Sequence, residues 1–257
     1  MPKPPLYMIH GMWCTGESWS KYREFFVQRG YVVHTPTLRH HSYGKDEHPI
    51  PALGTTSLLD YAADLEEDIR SHETPPIIIG HSMGGLLTQI LAARGLGRAA
   101  IFLTPAAPAG VIALTPSVVK TFRRVLTTWA FWRRPTFPTI KEAAYAVYNL
   151  LPKDEHDAEY GRLVHESGRA AAEIAFWLFD SSNAATVDEN MITCPTLTIA
   201  GTQDNITPAS VVRKVARKYA NNGDFYEFPN HAHWVLGEPG WEEVAHHCLK
   251  WIENKKL

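Results

Sequence analysis

The chain is poor in cysteine, in net charge and in long apolar runs, and each shortage excludes something. Cysteine occurs three times in 257 residues, at Cys14, Cys194 and Cys248. An odd count at wide spacing supports neither a disulfide framework nor a zinc pattern, so free thiols in a reducing, cytoplasmic compartment are expected. The 25 basic and 27 acidic side chains leave a formal net charge of -2. That offers no electrostatic footprint for nucleic acid or anionic lipid. No stretch reaches membrane-spanning length, and the densest apolar run, 125–132, stops at Arg133 and Arg134, so no membrane insertion is expected. The opening Met1-Pro2-Lys3-Pro4-Pro5 lacks the apolar stretch of a signal peptide. The histidines, thirteen in number, are scattered and argue for no metal. With 45% hydrophobic and 20% charged residues, the composition is that of an ordinary globular chain with a small-molecule partner, as monomer or homodimer.

Strand-like and helix-like patterns alternate at both ends of the chain. Short apolar runs at 6–9, 31–37, 77–79 and 99–103 are separated by helical patterns at 18–29, 58–72 and 83–94. The helix at 58–72 sets Leu58, Ala62, Leu65 and Ile69 against Asp64, Glu66 and Arg70 at helical spacing. The rhythm resumes with strands at 195–200 and 225–228 and helices at 208–219 and 241–254. Such alternation predicts βαβ units and a mostly parallel sheet with helices on both faces. Residues 106–190 break the rhythm: helical patterns at 116–134, 139–151, 154–166 and 168–179, no convincing strand, and dense aromatics. The expected organisation is an α/β core over 1–105 and 191–257, with 106–190 as a helical cap insert.

Four motifs carry chemistry. Gly80-His81-Ser82-Met83-Gly84-Gly85 fits the G-x-S-x-G nucleophile elbow. There a serine sits on a sharp strand-to-helix turn, with small residues two before and two after it. Ile77-Ile78-Ile79 before the motif and a helical pattern after it supply the required context. His10-Gly11-Met12-Trp13 follows the first strand. Acyl transfer needs donors aimed at a developing oxyanion, and the backbone N–H groups of Met12 and Met83 are the candidates. Asp204 ends the strand at 195–200, where an acid can orient an imidazole; the alternative is a turn residue or N-cap. Asn230-His231-Ala232-His233-Trp234 offers two histidines for one role as base.

The order of these motifs, His-Gly loop, serine elbow, strand-end Asp and late His, resembles the α/β-hydrolase superfamily. The resemblance spans nearly the whole chain and is weakest in the insert. Members carry a small residue, the catalytic His and an aromatic or aliphatic residue, with Glu-Pro soon after. Ala232-His233-Trp234 and Glu238-Pro239 match, which implies His233 as base and His231 as a loop histidine. The chain begins almost at the strand leading into the oxyanion loop, so about six strands are expected, as in the compact plant methyl-esterase and hydroxynitrile-lyase group. The loop at 38–44 holds His40-His41 where many members have an Arg-Gly-His-Gly turn, and both are expected to be solvated or at the rim.

The resemblance implies a cofactor-free serine hydrolase with Ser82, Asp204 and His233 as triad, cleaving carboxylic esters of small to medium apolar substrates through an acyl-enzyme. Trp13, Trp129, Trp132, Trp177 and Trp234 are the expected substrate-binding aromatics. Cys14, two residues past Met12, offers a thiol nucleophile, but no elbow surrounds it. A lactonase or C–C bond hydrolase on the same triad, a slow ligand-binding receptor and a cofactor-free oxygenase are the rival readings. Plant hydroxynitrile lyases carry a Lys beside the catalytic His; Trp234 stands there instead.

Overall fold

The computed structural model describes residues 3–257; Met1 and Pro2, at the start of the N-terminal segment read above, lie outside it. In chain order the elements are β1 (Leu6–Ile9), α1 (Ser20–Val27), β2 (Val33–His34), α2 (Pro51–Thr55), α3 (Leu58–Ser71), β3 (Ile77–His81), α4 (Met83–Ala93) and β4 (Ala99–Leu103). Then follow α5 (Pro116–Thr127), β5 (Pro135–Thr136), α6 (Ile140–Ala146), α7 (His156–Tyr160), β6 (Glu166–Ser167) and α8 (Gly168–Ala175). The chain closes with β7 (Thr196–Gly201), α9 (Ala209–Lys218), β8 (Gly223–Phe228) and α10 (Trp241–Asn254).

Six strands form one sheet in the order β2-β1-β3-β4-β7-β8, and every pairing in it is parallel. The physical reason is legible in β3 and β4, whose residues are all buried. Strands with both faces covered need apolar side chains on both, and crossover helices supply the cover. The core lies in two layers. One holds Trp19, Tyr22, Phe26, Val244 and Trp251 with the side chains of Leu6, Ile79 and Ile101; the other holds Leu65, Leu86, Leu87 and Val215 with Tyr7, Ile78 and Phe102. Alternate residues of one strand thus feed opposite layers. Helix α3 begins with a capping box, Ser57 with Asp60, which satisfies its first free amides.

The sheet has the expected strand count. Three details differ from the sequence reading. The β-rich stretch at 31–37 pairs only at Val33–His34, as an edge strand. Ahead of α3, in a stretch not assigned from sequence, stands the short helix α2, started by Pro51 at its first turn. The segment 106–190, read without strands, contains the antiparallel pair β5 and β6, and its helices are shorter than their patterns. Two-residue strands carry too little periodicity to be seen in sequence.

Two buried acids of this segment fasten it to the rest. Glu173 in α8 accepts from the Ser57 hydroxyl and the Leu58 amide, both at 2.8 Å, at the start of α3. Glu166 in β6 accepts from the Tyr61 hydroxyl of α3 at 2.9 Å and faces His41 Nε2 at 2.9 Å. His41 is therefore no rim residue: it is 2% exposed, because an acid 125 positions away supplies its partner. Its Nδ1 faces the Arg39 carbonyl. Both neighbours are acceptors, so the ring satisfies them by carrying both protons. Burial opposes that charge, but Glu166 and the backbone carbonyls outweigh it and lift the His41 pKa above its ordinary value.

Candidate active site

The elbow forms as its glycines require. A Cβ on Gly80 would lie 2.1 Å from the Gly84 carbonyl oxygen, and one on Gly84 would lie 2.2 Å from that of Ile9. Only bare backbone lets α4 close on β3 and β1 there. Ser82 is left at φ 55°, ψ -119°, a conformation that costs a non-glycine residue about 1–3 kcal/mol. Strong context holds it: its N–H donates to the Leu103 carbonyl at 3.0 Å, and its carbonyl accepts from Ala106 at 2.8 Å. Met83 begins α4, so its N–H has no acceptor within the helix.

Beside the elbow runs the loop after β1. A Cβ on Gly11 would come within 2.9 Å of Ser82 Cβ, so only glycine lets this loop pass so close. His10 fixes the loop. Its ring is wholly buried and its pKa is pushed down to about 3, first by burial and then by neighbouring His41. As a neutral ring, its Nδ1–H donates to the Gly11 carbonyl at 2.9 Å, and Nε2 accepts from the Leu38 amide at 3.0 Å. Met12 and Trp13 follow, Trp13 at φ 60°. The Trp13 carbonyl accepts from Val164 at 2.9 Å, its indole N–H donates to Thr136 at 3.3 Å, and its ring stacks on Phe122. The oxyanion-loop candidate and the insert are thereby one packed unit.

Asp204 and His233 meet across the ends of β7 and β8. Asp204 Oδ2 lies 2.8 Å from His233 Nδ1; a carboxylate only accepts, so the ring proton sits on Nδ1 and Nε2 is left as the basic nitrogen. Asp204 Oδ1 accepts from the amides of Ile206 and Thr207 at 2.7 and 2.8 Å. The turn role and the imidazole role are both filled by one side chain. Burial opposes the charge on Asp204; the facing His233 and the Thr207 donors outweigh it and hold the carboxyl below its ordinary pKa.

Three residues that the sequence reading passed over brace this pair. The Thr207 hydroxyl lies 2.8 Å from Asp204 Oδ2 and 3.0 Å from the Thr104 carbonyl oxygen. It has one proton for two acceptors. Thr104 sits at φ 41°, a strained value for a β-branched residue, and its hydroxyl donates to the His233 carbonyl at 3.4 Å. His81 donates from Nε2 to the same carbonyl at 2.8 Å, and burial, then His233, push its pKa down to about 3. A threonine three residues after a strand-end Asp was the one available signal, since that spacing suits an Asx-type turn.

His231 points elsewhere. Its Nδ1 lies 3.0 Å from Glu238 Oε1, which also accepts from the Ala232 amide at 2.8 Å. Glu238 is fully buried and braces the loop from behind.

Ser82 and His233 line one cavity, together with Met12, Trp13, Trp234, Phe122, Leu163 and Ile206. Its volume is about 30 Å³, room for about two waters. Of the five expected aromatics, Trp13 and Trp234 lie on this cavity. Trp129 and Trp132 do not: they stand on the outer face of the insert, 82% and 41% exposed, edge to face with each other. Trp177 packs against the second core layer instead. The aromatic count of the insert gave no direction, because helical patterns here end early and turn those rings outward. Phe122, Val147 and Leu163 are the insert residues that reach the cavity. Cys14 also lines it, but burial, then Glu166, push its thiol pKa up to about 12. No group of three or more His, Cys, Asp or Glu placed to hold a metal occurs among the described residues, and none of their helices is long and apolar enough to cross a membrane.

Comparison with known proteins places the fold. A curated relative, a non-heme chloroperoxidase from Burkholderia pyrrocinia, is 26% identical over 249 residues, covering 90% of this chain and 86% of that protein. Among solved structures, a pyrethroid hydrolase from Sphingobium faniae superposes with a TM-score of 0.72 at 17% identity, covering 97% of each chain. A methylesterase from Arabidopsis superposes with a TM-score of 0.70 at 12% identity, covering 97% of this chain and 99% of that one. The model of the alpha/beta hydrolase family matches residues 6–246, and with it the chain is placed: it belongs to the alpha/beta hydrolase family.

Proposed function

We propose that this protein is a carboxylic ester hydrolase that works through an acyl-enzyme on Ser82, without cofactor or metal. The observation that carries the reading is the buried Asp204–His233 pair at 2.8 Å, whose His233 lines the same cavity as the strained Ser82. His233 Nε2 takes the Ser82 proton as the hydroxyl oxygen attacks the ester carbonyl carbon. The Met12 and Met83 amides receive the oxyanion. The tetrahedral intermediate collapses as His233 returns the proton to the leaving alcohol. Water, deprotonated by His233, then cleaves the acyl-enzyme and restores the serine. Asp204 keeps the tautomer that leaves Nε2 basic and stabilises the imidazolium between steps.

The apolar lining of Met12, Trp13, Phe122 and Ile206 suits a small to medium apolar ester. The segment 106–190 acts as the cap that selects it, since Phe122 and Leu163 come from there. The methylesterase neighbour is named for ester chemistry and the pyrethroid hydrolase for hydrolysis, which supports the reading. Three free thiols suit a reducing cytoplasm. The test is hydrolysis of p-nitrophenyl acetate by wild type beside Ser82→Ala. Turnover that disappears in the variant supports the reading; turnover that survives, or none from folded wild type, removes it.

A further inference from the structure

The catalytic cavity is too small for the reaction it serves. About 30 Å³ holds water but no ester, whereas sites for drug-sized ligands run to about 300–1,000 Å³. A second chamber of about 560 Å³ lies against it, and the two share three wall residues, Cys14, Leu163 and Trp234. Trp234 is a slab between them: its indole stands edge-on to His81, at 5.9 Å, and to Tyr148, at 5.6 Å. His81 lines the catalytic cavity and Tyr148 the chamber. None of the three wall side chains makes a side-chain hydrogen bond to another described residue, so packing alone holds the partition.

We infer that this second chamber is the binding site for the long arm of the substrate, and that the substrate class is a carboxylic ester with one short arm and one extended apolar arm carrying a polar tip. The inference rests on the ester-hydrolase reading above. The wall that the chamber shares with the catalytic cavity carries apolar Leu163 and Trp234, with Leu236 adding to the apolar lining, and Ser18, Ser20 and Lys21 supply polar groups elsewhere on it. The acids of the lining are already matched: Glu159 pairs with Arg162 at 3.0 Å and Glu17 with Arg23 at 3.4 Å. Lys21 has no carboxylate partner among the described residues; it donates to the Gly237 carbonyl at 2.9 Å and lies over the Trp241 ring at 5.9 Å. The polar tip meets a lining with a spare cation.

The experiment fills the chamber away from the shared wall. Ser20 begins α1, and its side chain makes no hydrogen bond to a described residue, so Ser20→Trp places bulk in the chamber without removing a bond. The ratio of kcat/KM for the octanoate against the acetate is measured with p-nitrophenyl esters, and again for octyl against methyl acetate by acid release. Ser20→Trp is expected to lower one of these ratios by about tenfold or more, the scale on which a pocket senses a few methylenes. Leu163→Ala, which opens the partition, is expected to raise the same ratio. The acyl series responding assigns the chamber to the acid arm, and the alcohol series responding assigns it to the alcohol arm. Unchanged ratios in both series, from protein whose Ser82 still reacts with a fluorophosphonate, overturn the chamber and leave the hydrolase reading standing. No turnover of any ester and no labelled Ser82 overturns both.

Discussion

Replacing Asp204 by Asn separates the two tasks of this side chain. The carboxylate accepts four bonds: Ile206 and Thr207 amides on Oδ1, and His233 Nδ1–H and the Thr207 hydroxyl on Oδ2. An Asn whose oxygen stays on the two amides keeps the turn. Its NH₂ then occupies the place of Oδ2, where His233 and Thr207 had donated. The Thr207 hydroxyl has a second acceptor ready in the Thr104 carbonyl, so little is stranded there. For His233 the remaining acceptor is the Thr207 hydroxyl oxygen, a longer contact at 3.3 Å from Nδ1; accepting from the Asn NH₂ instead moves its proton to Nε2 and leaves Ser82 without a base. Activity is therefore expected to fall on the order of 10⁴-fold while the fold persists. Asp204→Ala is expected to lose stability as well, about 1–3 kcal/mol for two buried amides left without acceptors. Initial rates on p-nitrophenyl acetate and thermal melts of the three proteins decide it. If Asp204→Asn keeps a tenth or more of wild-type turnover, Asp204 is not the residue that sets the imidazole.

Other expectations are independent of that one. His233→Gln should lose turnover on the order of 10⁶-fold, whereas His231→Gln, whose ring meets Glu238 and the edge of Phe228, should retain activity and show its effect in melting temperature; the reverse pattern means the base is misplaced. Thr207→Val should cost about tenfold in kcat/KM, the equivalent of about 1.4 kcal/mol from one bond to a charged acceptor, and no change would mean that its proton goes only to Thr104. Cys14 should resist iodoacetamide in the folded protein at pH 8 and react once unfolded; fast alkylation of the native thiol with loss of activity would restore the cysteine-nucleophile reading. His41 has a folded pKa above its unfolded one, so its contribution to stability is complete below the unfolded value of about 6.5 and fades as pH rises through the folded one. The difference in melting temperature between wild type and His41→Gln should thus narrow as pH rises past that point, and a gap constant from pH 5 to 9 would contradict the charged His41.

Sequence and structure agree best where chemistry dictates local geometry. The elbow at Ser82 was legible because Gly80 and Gly84 are required by backbone contact within one short stretch. Asp204 and His233 were legible because each ends a strand pattern, and strand ends in a parallel sheet gather at one edge. The parallel sheet itself follows from Ile77, Ile78 and Ile79, an apolar run that leaves no face for water. What stayed hidden depends on partners far away in sequence. His41 looked solvated because Glu166, 125 residues later, is not written beside it. Trp129 and Trp132 looked like pocket aromatics because periodicity says which residues share a helix face, not which way that face points. Thr104 and His81 carry no motif for the support they give His233, since both act on a backbone carbonyl that any residue could have presented.

The most direct test of the account is the site of covalent capture by a fluorophosphonate at neutral pH, read by intact mass and peptide mapping. The account predicts a single adduct on Ser82, absent in Ser82→Ala and strongly slowed in His233→Gln. An adduct on another residue, or capture at wild-type speed without His233, would contradict it.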